Sequence, residues 1–421
     1  MAARPLCCGL VRQRTNGLRA RGWLASAAAL AAAAVLLWIT WHLRRQTDFL
    51  DLRIYRNSIE YWRHGHSLYD FEQPGTKGRL GFTYPPFAAM VLAPLTLVSE
   101  GRAEHLVLAL NLAICAGIGS AAGIAFARRF AWPAGPAAAL GTAMVLSLEP
   151  VRESLGFGQI NIVLLALVSL DLGLLAIGRR AGIGIGLAAA IKLTPVVLIL
   201  ALLAAGRRSP RFRQAGRRAL ATAGAATVLA AVALPASSWR YWTQEVWATG
   251  RVGRPDRITN QSWTGVLCRM LDEPAPSRLL WLAGAVGAVA ATLMWAQRAT
   301  GWWTPVRIVA VAAAAATFAS PISWTHHYWW AALAVAALLY RAAATRSAWA
   351  LVCFAAVLAM FVVGPIKAEQ WVHHWEWASA LASDLYLYAT VLTVIGLVVG
   401  GPVGRPPVMA SVRKGVDAAR G

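Results

Sequence analysis

Residues 179–208 read RRAGIGIGLAAAIKLTPVVLILALLAAGRR, an apolar run with a pair of arginines at each end. The run could cross a bilayer, because about 20 helical residues span the hydrocarbon core. Arginine pairs beside such runs mark the cytoplasmic side, so a single crossing would put one pair on the wrong side. Lys192 and Pro195 interrupt the run, and proline disfavours a continuous helix. We therefore predict a re-entrant pair of half-helices; the alternative is an error in assigning a neighbouring run.

A re-entrant pair implies a cavity, because broken backbone at membrane depth must be buried in protein or line a cavity. The composition supports a membrane setting: of 421 residues, 58% are hydrophobic and 14% are charged, against about 25% charged in soluble domains. These values exclude a disordered chain, a coiled coil and an ordinary soluble enzyme. Other apolar runs are residues 23–43, 105–127, 132–148, 160–178, 219–235, 279–297, 304–320, 327–341, 346–364 and 381–400.

The charge is strongly positive, with 40 Lys+Arg against 18 Asp+Glu and a net charge of +22. Short cytoplasmic loops rich in arginine explain this balance, and no basic stretch carries a nucleic-acid recognition module. The positive-inside rule then predicts ten full crossings plus the re-entrant pair, with both termini inside. We divide the chain into a basic cytoplasmic N-terminus (1–22), one membrane domain (23–400) and a cytoplasmic tail (401–421). The first run is longer than the apolar part of a signal peptide.

The longer connections all fall on the outer face, and the polar and aromatic residues concentrate there. In the first outer loop, residues 44–104, Asp48 and Asp51 follow the first helix directly. A carboxylate at this point could act as a general base or could cap a helix. Residues 87–98 are too short to span and predict an interfacial helix. The five cysteines show no metal-ligand spacing, and we predict no disulfide framework.

Several polar stretches interrupt the apolar runs on the outer side. His326 and His327 are adjacent, which is poor spacing for a metal, since neighbouring helical positions point about 100° apart. The stretches, with their numbers, are DLRIY (51–55), SLYDF (67–71), FTYPPFAAMVLAPL (82–95), GQINIVLLAL (158–167), AAAIKLTPVVLIL (188–200), NQSWTGVL (260–267) and SPISWTHH (320–327).

Together these stretches resemble glycosyltransferase family 87, the polyprenyl-phosphate-mannose-dependent mannosyltransferases. The resemblance implies an all-α GT-C membrane fold in the plasma membrane, with interfacial helices in the first outer loop and an extracytoplasmic active site. It implies a hexosyltransferase that moves mannose from polyprenyl-phospho-mannose, with inversion and in α-(1→2) linkage. The acceptor would be a glycolipid, either a phosphatidylinositol mannoside or the mannan of a lipoglycan. No cofactor or metal is expected.

The same resemblance assigns the base to Asp51 through the DLRIY match, with Asp48 the lesser candidate. We place His326 beside Asp51 as a catalytic residue. Charge that builds on the leaving phosphate requires cations or donors, for which the candidates are Lys192, His327, Arg53 and Lys367. Lys192 could instead form an ion pair with Asp171. Candidate substrate-binding residues are Tyr55, Tyr84, Gln159, Asn161, Asn260 and Gln261.

Two other functions remain open. An arabinosyltransferase of the same fold would use a polyprenyl-phospho-arabinose donor, and the motifs do not separate the two sugars. A lipid or sugar transporter would also have broken helices, but such proteins are commonly built from internal repeats, and the sequence shows none. A transporter would not need the outer-face clustering of Asp, His, Asn and Gln.

Overall fold

The computed structural model describes residues 26, 29–39, 47–76, 80–248, 253–273, 277–300 and 304–399. Within these ranges the chain forms helices and loops, with one isolated β-bridge and no strand. The predicted all-helical architecture is confirmed. The basic N-terminus at 1–22 and the tail at 401–421 lie outside the described residues.

Most of the helices lie in the predicted apolar runs, and the others lie in the connections between those runs. The first ten are α1 (Ala29–Ile39), α2 (Leu50–Arg63), α3 (Pro86–Leu92), α4 (Glu100–Phe130), α5 (Ala134–Ser147), α6 (Glu149–Gly156), α7 (Asn161–Ala176), α8 (Ile183–Ile191), α9 (Val196–Ala205) and α10 (Pro210–Ala233). The remaining nine are α11 (Pro235–Thr243), α12 (Trp263–Leu271), α13 (Arg278–Ala296), α14 (Thr304–Ala319), α15 (Ala331–Thr345), α16 (Ala348–Val363), α17 (Pro365–Val372), α18 (Glu376–Ser383) and α19 (Leu385–Val398).

Two of the described helices, α4 and α13, are long and apolar enough to cross a membrane alone. Three sharply bent pairs, α5–α6, α16–α17 and α18–α19, would bring the number to five if each pair is one span. Most of the other predicted crossings are apolar helices of 10–17 residues, including α7 and α14. The number of ten full crossings therefore stays a prediction.

The path of α8 and α9 matches the predicted re-entrant pair. A Cβ on Gly182, just before α8, would lie 2.2 Å from the carbonyl oxygen of Ala215 in α10. A Cβ on Gly216 would lie 2.9 Å from the side chain of Leu203, near the end of α9. The start of α8 and the end of α9 therefore lie beside the same part of α10. The break at 192–195 lies at the other end of both half-helices. The two half-helices are confirmed to run in opposite directions.

Asp171 caps α8, and its predicted alternative pairing with Lys192 is wrong. Its Oδ1 accepts a hydrogen bond of 2.8 Å from the Gly182 amide, and its Oδ2 accepts one of 2.7 Å from Ile185. The first amides of a helix have no partner within it, so a carboxylate that accepts from them stabilises the helix start. Lys192 follows the other end of this helix, about 13 Å away along its axis.

The segment at 87–98, which the sequence predicts to be an interfacial helix, forms two short helices in the structure. It comprises α3 and a 3₁₀-helix, Ala93–Leu97, and it follows Pro85. Because α3 packs on α8, α10 and α2, it helps to bring the first outer loop over the break between α8 and α9.

Candidate active site

Asp51 lies in the first turn of α2, which is anchored to the end of α6. The Phe49 amide donates to the Gly156 carbonyl at 2.9 Å, and the Leu52 amide donates to Phe157 at 3.1 Å. Asp51 is partly exposed, and its Oδ2 accepts from the Gln159 side-chain amide at 2.5 Å. The anchoring to α6 therefore fixes the carboxylate next to the start of α7.

Gln159 holds its side chain in a single orientation. Its Oε1 accepts from the Tyr55 hydroxyl at 2.8 Å and from the Tyr84 hydroxyl at 3.1 Å. The amide group must then direct its Nε2 donors towards Asp51. Gly158 permits this approach, because its φ of +66° favours glycine and a Cβ there would lie 2.7 Å from Leu52.

Lys192 brings a cation to the same place from the break between α8 and α9. Its backbone is extended, with φ −143° and ψ 137°, so the helix ends before it. The Nζ donates to Asn161 Oδ1 at 3.0 Å and to the Tyr84 hydroxyl at 3.4 Å. It also lies 5.0 Å from the centre of the Tyr84 ring. The predicted break thus brings a buried lysine side chain to the residues around Asp51.

His326 joins the group through its backbone. It lies in a 3₁₀-helix, Thr325–His327, rather than in an α-helix as the sequence suggested. Its carbonyl accepts from Asn161 Nδ2 at 2.9 Å and from Ser154 at 3.3 Å. Burial, with a further contribution from the charge of Lys192, lowers the pKa of His326 to about 3. The imidazole is therefore neutral at pH 7.

We call these residues the Asp51 cluster. Its members come from α2, the FTYPPF loop, the start of α7, the α8–α9 break and the loop before α15. The members are Asp51, Tyr55, Tyr84, Gln159, Asn161, Lys192 and His326. All seven were predicted site residues, and the structure brings them together.

The electrostatics of the cluster suit a base. Burial raises the pKa of Asp51 to about 6, although the Gln159 hydrogen bond and the Lys192 charge both lower it. At pH 7 the carboxylate is therefore mostly ionised and can accept a proton. Burial also raises the pKa of Tyr55 and of Tyr84 well above 10, so both hydroxyls keep their protons and remain hydrogen-bond donors.

The structure does not bring Asn260 into the cluster. Its Oδ1 accepts from the Ser323 amide at 2.9 Å and from Ser262 at 3.3 Å, and its Nδ2 donates to Pro255 at 2.8 Å. The side chain is fully buried. Because its acceptor and a donor are engaged with backbone, Asn260 joins the NQSW and SPISW loops instead of contacting a substrate.

Gln261 has a similar structural position. Its Nε2 donates to the carbonyls of Ile258 and Ser383, each at 2.6 Å, and its Oε1 accepts from the Tyr386 amide at 2.9 Å. It is also buried, with 1% of its surface exposed. Gln261 therefore fixes the start of α19 to the loop before α12.

Three of the four predicted phosphate-binding residues lie outside the hydrogen bonds of the cluster. Arg53 faces Glu104 at 3.2 Å and Glu100 at 3.4 Å. Lys367 is exposed on α17. The ring of His327 packs edge-on against that of His326, with centroids 4.7 Å apart. Of the four, only Lys192 forms hydrogen bonds with members of the cluster in the part of the chain that the structure describes.

Glu153, on α6, is a neighbour of the site that the sequence did not reveal, and Glu149 lies one turn earlier on the same helix. Burial raises the pKa of Glu153, and the charges of Asp48 and Asp51 raise it further, so Glu153 lies within electrostatic reach of Asp51. Glu149 accepts from the Tyr386 hydroxyl at 2.5 Å, and burial raises its pKa to about 8. In the sequence, these two residues are visible only as two carboxylates in the short outer connection 149–159.

No group of three or more His, Cys, Asp or Glu residues is arranged to hold a metal ion in the part of the chain that the structure describes. The independence of the reaction from metal, expected from the sequence, stays a prediction.

Comparison with known proteins agrees with the motif resemblance. The model of glycosyltransferase family 87 matches residues 82–323. Two polyprenol-phosphate-mannose-dependent alpha-(1-2)-phosphatidylinositol mannoside mannosyltransferases are similar to the chain. The one from Mycolicibacterium smegmatis is 33% identical over 88% of both chains. The one from Mycobacterium tuberculosis is 32% identical over 72% of this chain and 73% of its own.

A phosphatidylinositol pentamannoside mannosyltransferase of the same donor class, from Mycolicibacterium smegmatis, is 29% identical over 86% of this chain and 87% of its own. Among solved structures, ArnT from Cupriavidus metallidurans in the apo state covers 90% of this chain and 78% of its own, at 18% identity. Its TM-score is 0.35, which is too low to transfer site residues between the two proteins.

Proposed function

The chain belongs to glycosyltransferase family 87, and we propose that it transfers mannose from polyprenyl-phospho-mannose to a phosphatidylinositol mannoside in α-(1→2) linkage. It is a membrane glycosyltransferase. The donor, acceptor and linkage rest on the names of relatives up to 33% identical. The observation that carries the proposal is the Asp51 cluster, where a carboxylate and an ammonium group meet among hydrogen-bonding side chains. An acceptor hydroxyl and a phosphate leaving group require that pair.

Asp51 would act on the acceptor. A sugar hydroxyl is a weak nucleophile, so a positioned base must take its proton as the new bond to C1 forms. The Oδ1 of Asp51 is available for this proton, because the hydrogen bond from Gln159 goes to Oδ2. As the acceptor oxygen bonds to C1 from one face, the bond from C1 to the phosphate oxygen breaks on the other. The anomeric centre is thereby inverted.

Lys192 would act on the leaving group. The electron pair of the breaking bond stays on the phosphate, whose charge grows from that of a diester to that of a monoester. A fixed cation in a buried site stabilises such charge strongly. Lys192 suits this task because Asn161 and Tyr84 hold its Nζ in place. His326 is neutral and would contribute as a hydrogen-bonding group rather than as a cation.

Gln159 would position Asp51 rather than contact the substrate, which revises its predicted role. Its carbonyl oxygen is occupied by two tyrosines, and its amide donates to the carboxylate. This bond fixes the direction of the carboxylate and stabilises its ionised form.

We place the reaction on the extracytoplasmic side of the plasma membrane, with the chain crossing it many times and without a metal. The apolar helices and the arginine-rich ends of the runs support this orientation. A lipid-linked donor is consistent with a site enclosed by membrane helices, because its isoprenoid tail needs an apolar environment.

The test uses membranes that contain the chain, labelled polyprenyl-phospho-mannose and a phosphatidylinositol mannoside acceptor. We expect a product with one more α-(1→2)-linked mannose, its yield unchanged by a chelator, and a strongly reduced yield with Asp51→Asn. Transfer from polyprenyl-phospho-arabinose alone would replace the proposed donor. Movement of the lipid across the membrane without any transfer would contradict the enzyme and favour a transporter.

A further inference from the structure

A cavity of about 430 Å³ lies at the opposite end of α7 from the Asp51 cluster. Its wall includes Leu172 and Leu175 near the end of α7, Arg208, Arg211 and Phe212 at the start of α10, and Thr300 after α13. We call it the arginine pocket. Its size falls in the range of small-molecule sites, about 300–1,000 Å³.

The arginine pocket is separate from the catalytic site. Asn161, which contacts Lys192, begins α7, whereas Leu172 and Leu175 lie three to four turns further along. At 1.5 Å per residue, the separation along the helix is about 20 Å. The break in the re-entrant pair lies at the cluster end, and Ala205, where α9 returns, lies in the pocket wall. The residues of the Asp51 cluster therefore do not line this cavity.

Arginines give the pocket a positive charge, and the stretches of chain that contain its wall residues have no carboxylate to neutralise it. The sequence has no Asp or Glu between residues 172 and 244, or between residues 274 and 368. Asp171, the nearest carboxylate in sequence, accepts from the start of α8. Arg208 and Arg211 are both exposed. Guanidinium groups beside low-dielectric walls attract anions, above all phosphate groups that they can bind with two parallel hydrogen bonds.

Most of the other residues in the wall are apolar, and this apolar surface favours some anions over others. Leu172, Leu175 and Phe212 offer surface to a hydrocarbon chain, and a free phosphate would leave that surface unused. A ligand that satisfies both parts has a phosphate next to an apolar chain. Basic pockets between membrane helices on the cytoplasmic side bind the headgroups of anionic lipids in this way.

We propose that the arginine pocket binds an anionic phospholipid. Its phosphodiester contacts Arg208 and Arg211, and the first part of an acyl chain lies against Leu172 and Leu175. The lipid contacts the end of α7, the α9–α10 turn and Thr300, just after α13, together. Its binding therefore stabilises the folded chain, including the half-helix α9 that leads back from Lys192.

The test is thermal unfolding of the purified full chain in detergent with three added probes. Phosphatidylglycerol and phosphatidylcholine with identical acyl chains share the phosphodiester but differ in headgroup and net charge, and glycerol 3-phosphate has the anion without the chain. We expect phosphatidylglycerol to raise Tm by a few degrees and the other two probes to leave it unchanged. An equal rise with glycerol 3-phosphate would replace the lipid site with a free-anion site. An equal rise with phosphatidylcholine would show that the net negative charge of the lipid is not required and would overturn the proposed anionic-lipid site.

Substitutions in the pocket wall test whether the rise in Tm with phosphatidylglycerol comes from binding in the arginine pocket. Arg208→Gln with Arg211→Gln should abolish the phosphatidylglycerol shift, whereas Arg217→Gln, on α10 but outside the wall, should retain it. Equal loss in Arg217→Gln would mean that general surface charge attracts the lipid and would overturn the proposal.

A second pair of variants keeps all the charges. Ala176→Trp fills the pocket, and Leu170→Trp places the same ring on an exposed position of α7. Only the first should lose the shift, and native mass spectrometry should show fewer bound phosphatidylglycerol molecules on it. Retention of both the shift and the bound lipid in Ala176→Trp would contradict the proposed site, even if the arginine variants fold poorly.

Discussion

Asp48 and Asp51 are three residues apart, yet the structure gives them different partners. Asp48 Oδ1 accepts from the Leu50 amide at 2.9 Å, as a residue before a helix does, whereas Asp51 faces Gln159. Asp51→Asn should lower the transfer rate by about 10²–10⁴-fold, because the amide cannot accept a proton. Asp48→Asn should retain most activity, since Asn also caps helices. Initial rates in membranes with equal protein levels measure both, and an inactive Asp48→Asn beside an active Asp51→Asn would reverse the assignment.

The pH dependence follows from the raised pKa of Asp51. Protonation removes the base, so kcat/KM should fall about tenfold per unit as pH drops below about 6. The charge of Asp48 raises the pKa of Asp51. Asp48→Asn should therefore move the acidic limb to lower pH while the plateau remains. A limb at the same pH in wild type and Asp48→Asn would argue against Asp51 as the titrating base.

The role of Gln159 in positioning Asp51 can be tested through the pH dependence of the rate, which a purely structural residue would not change. Its hydrogen bond to Asp51 stabilises the carboxylate and lowers the pKa of that group. Gln159→Leu should therefore reduce kcat and also move the acidic limb above pH 6. Asn111→Leu is a suitable control, because the Asn111 side chain donates only to the Gln159 backbone carbonyl, at 3.3 Å. It should leave the limb in place, and an unmoved limb in Gln159→Leu would contradict the positioning role.

At the scale of elements, the sequence predicted the break between α8 and α9 but not the hydrogen bonds that Asp171 accepts at the start of α8. Arginine pairs at both ends and the interruption at Lys192 sufficed to predict that α8 and α9 turn back. The alternative ion pair of Asp171 with Lys192 was wrong, because counting residues along separate runs does not show that Asp171 in α7 lies beside the start of α8. Asn260 and Gln261 were assigned to substrate for a related reason. Their backbone partners at Ser323, Ser383 and Tyr386 are more than 60 residues away, and no local pattern reveals such contacts.

The assignment of Asp171 as a cap can be tested against the ion pair. Asp171→Ala should lower the stability by about 1–2 kcal/mol, the cost of losing a helix cap, and Asp171→Asn should lower it less. Lys192→Met should instead reduce transfer strongly with little change in Tm. Thermal unfolding and transfer rates of the two variants and their combination give the answer. Independent effects are expected, whereas recovery of stability in Asp171→Ala with Lys192→Met would restore the ion pair.

At the scale of the molecule, the two ends of the helices differ in chemistry. The Asp51 cluster contains one carboxylate, one lysine and several hydrogen-bonding side chains, and the other end contains Arg179, Arg180 and the arginines of 207–218. The motifs predicted the membership of the cluster because its residues lie in short outer connections. The arginine pocket was not predicted, since cytoplasmic arginines by themselves indicate only topology.

The orientation of these two ends predicts the accessibility of introduced cysteines. In a background with Cys7 and Cys8 replaced by serine, the three remaining cysteines are buried. A cysteine at His64, exposed at the end of α2, should react with an impermeant thiol reagent in intact cells. A cysteine at Ser209, between α9 and α10, should react only after the cells are opened, because the re-entrant pair returns the chain to the cytoplasm. Labelling of Ser209→Cys from outside would mean that residues 182–205 cross the membrane, and the re-entrant assignment would then be wrong.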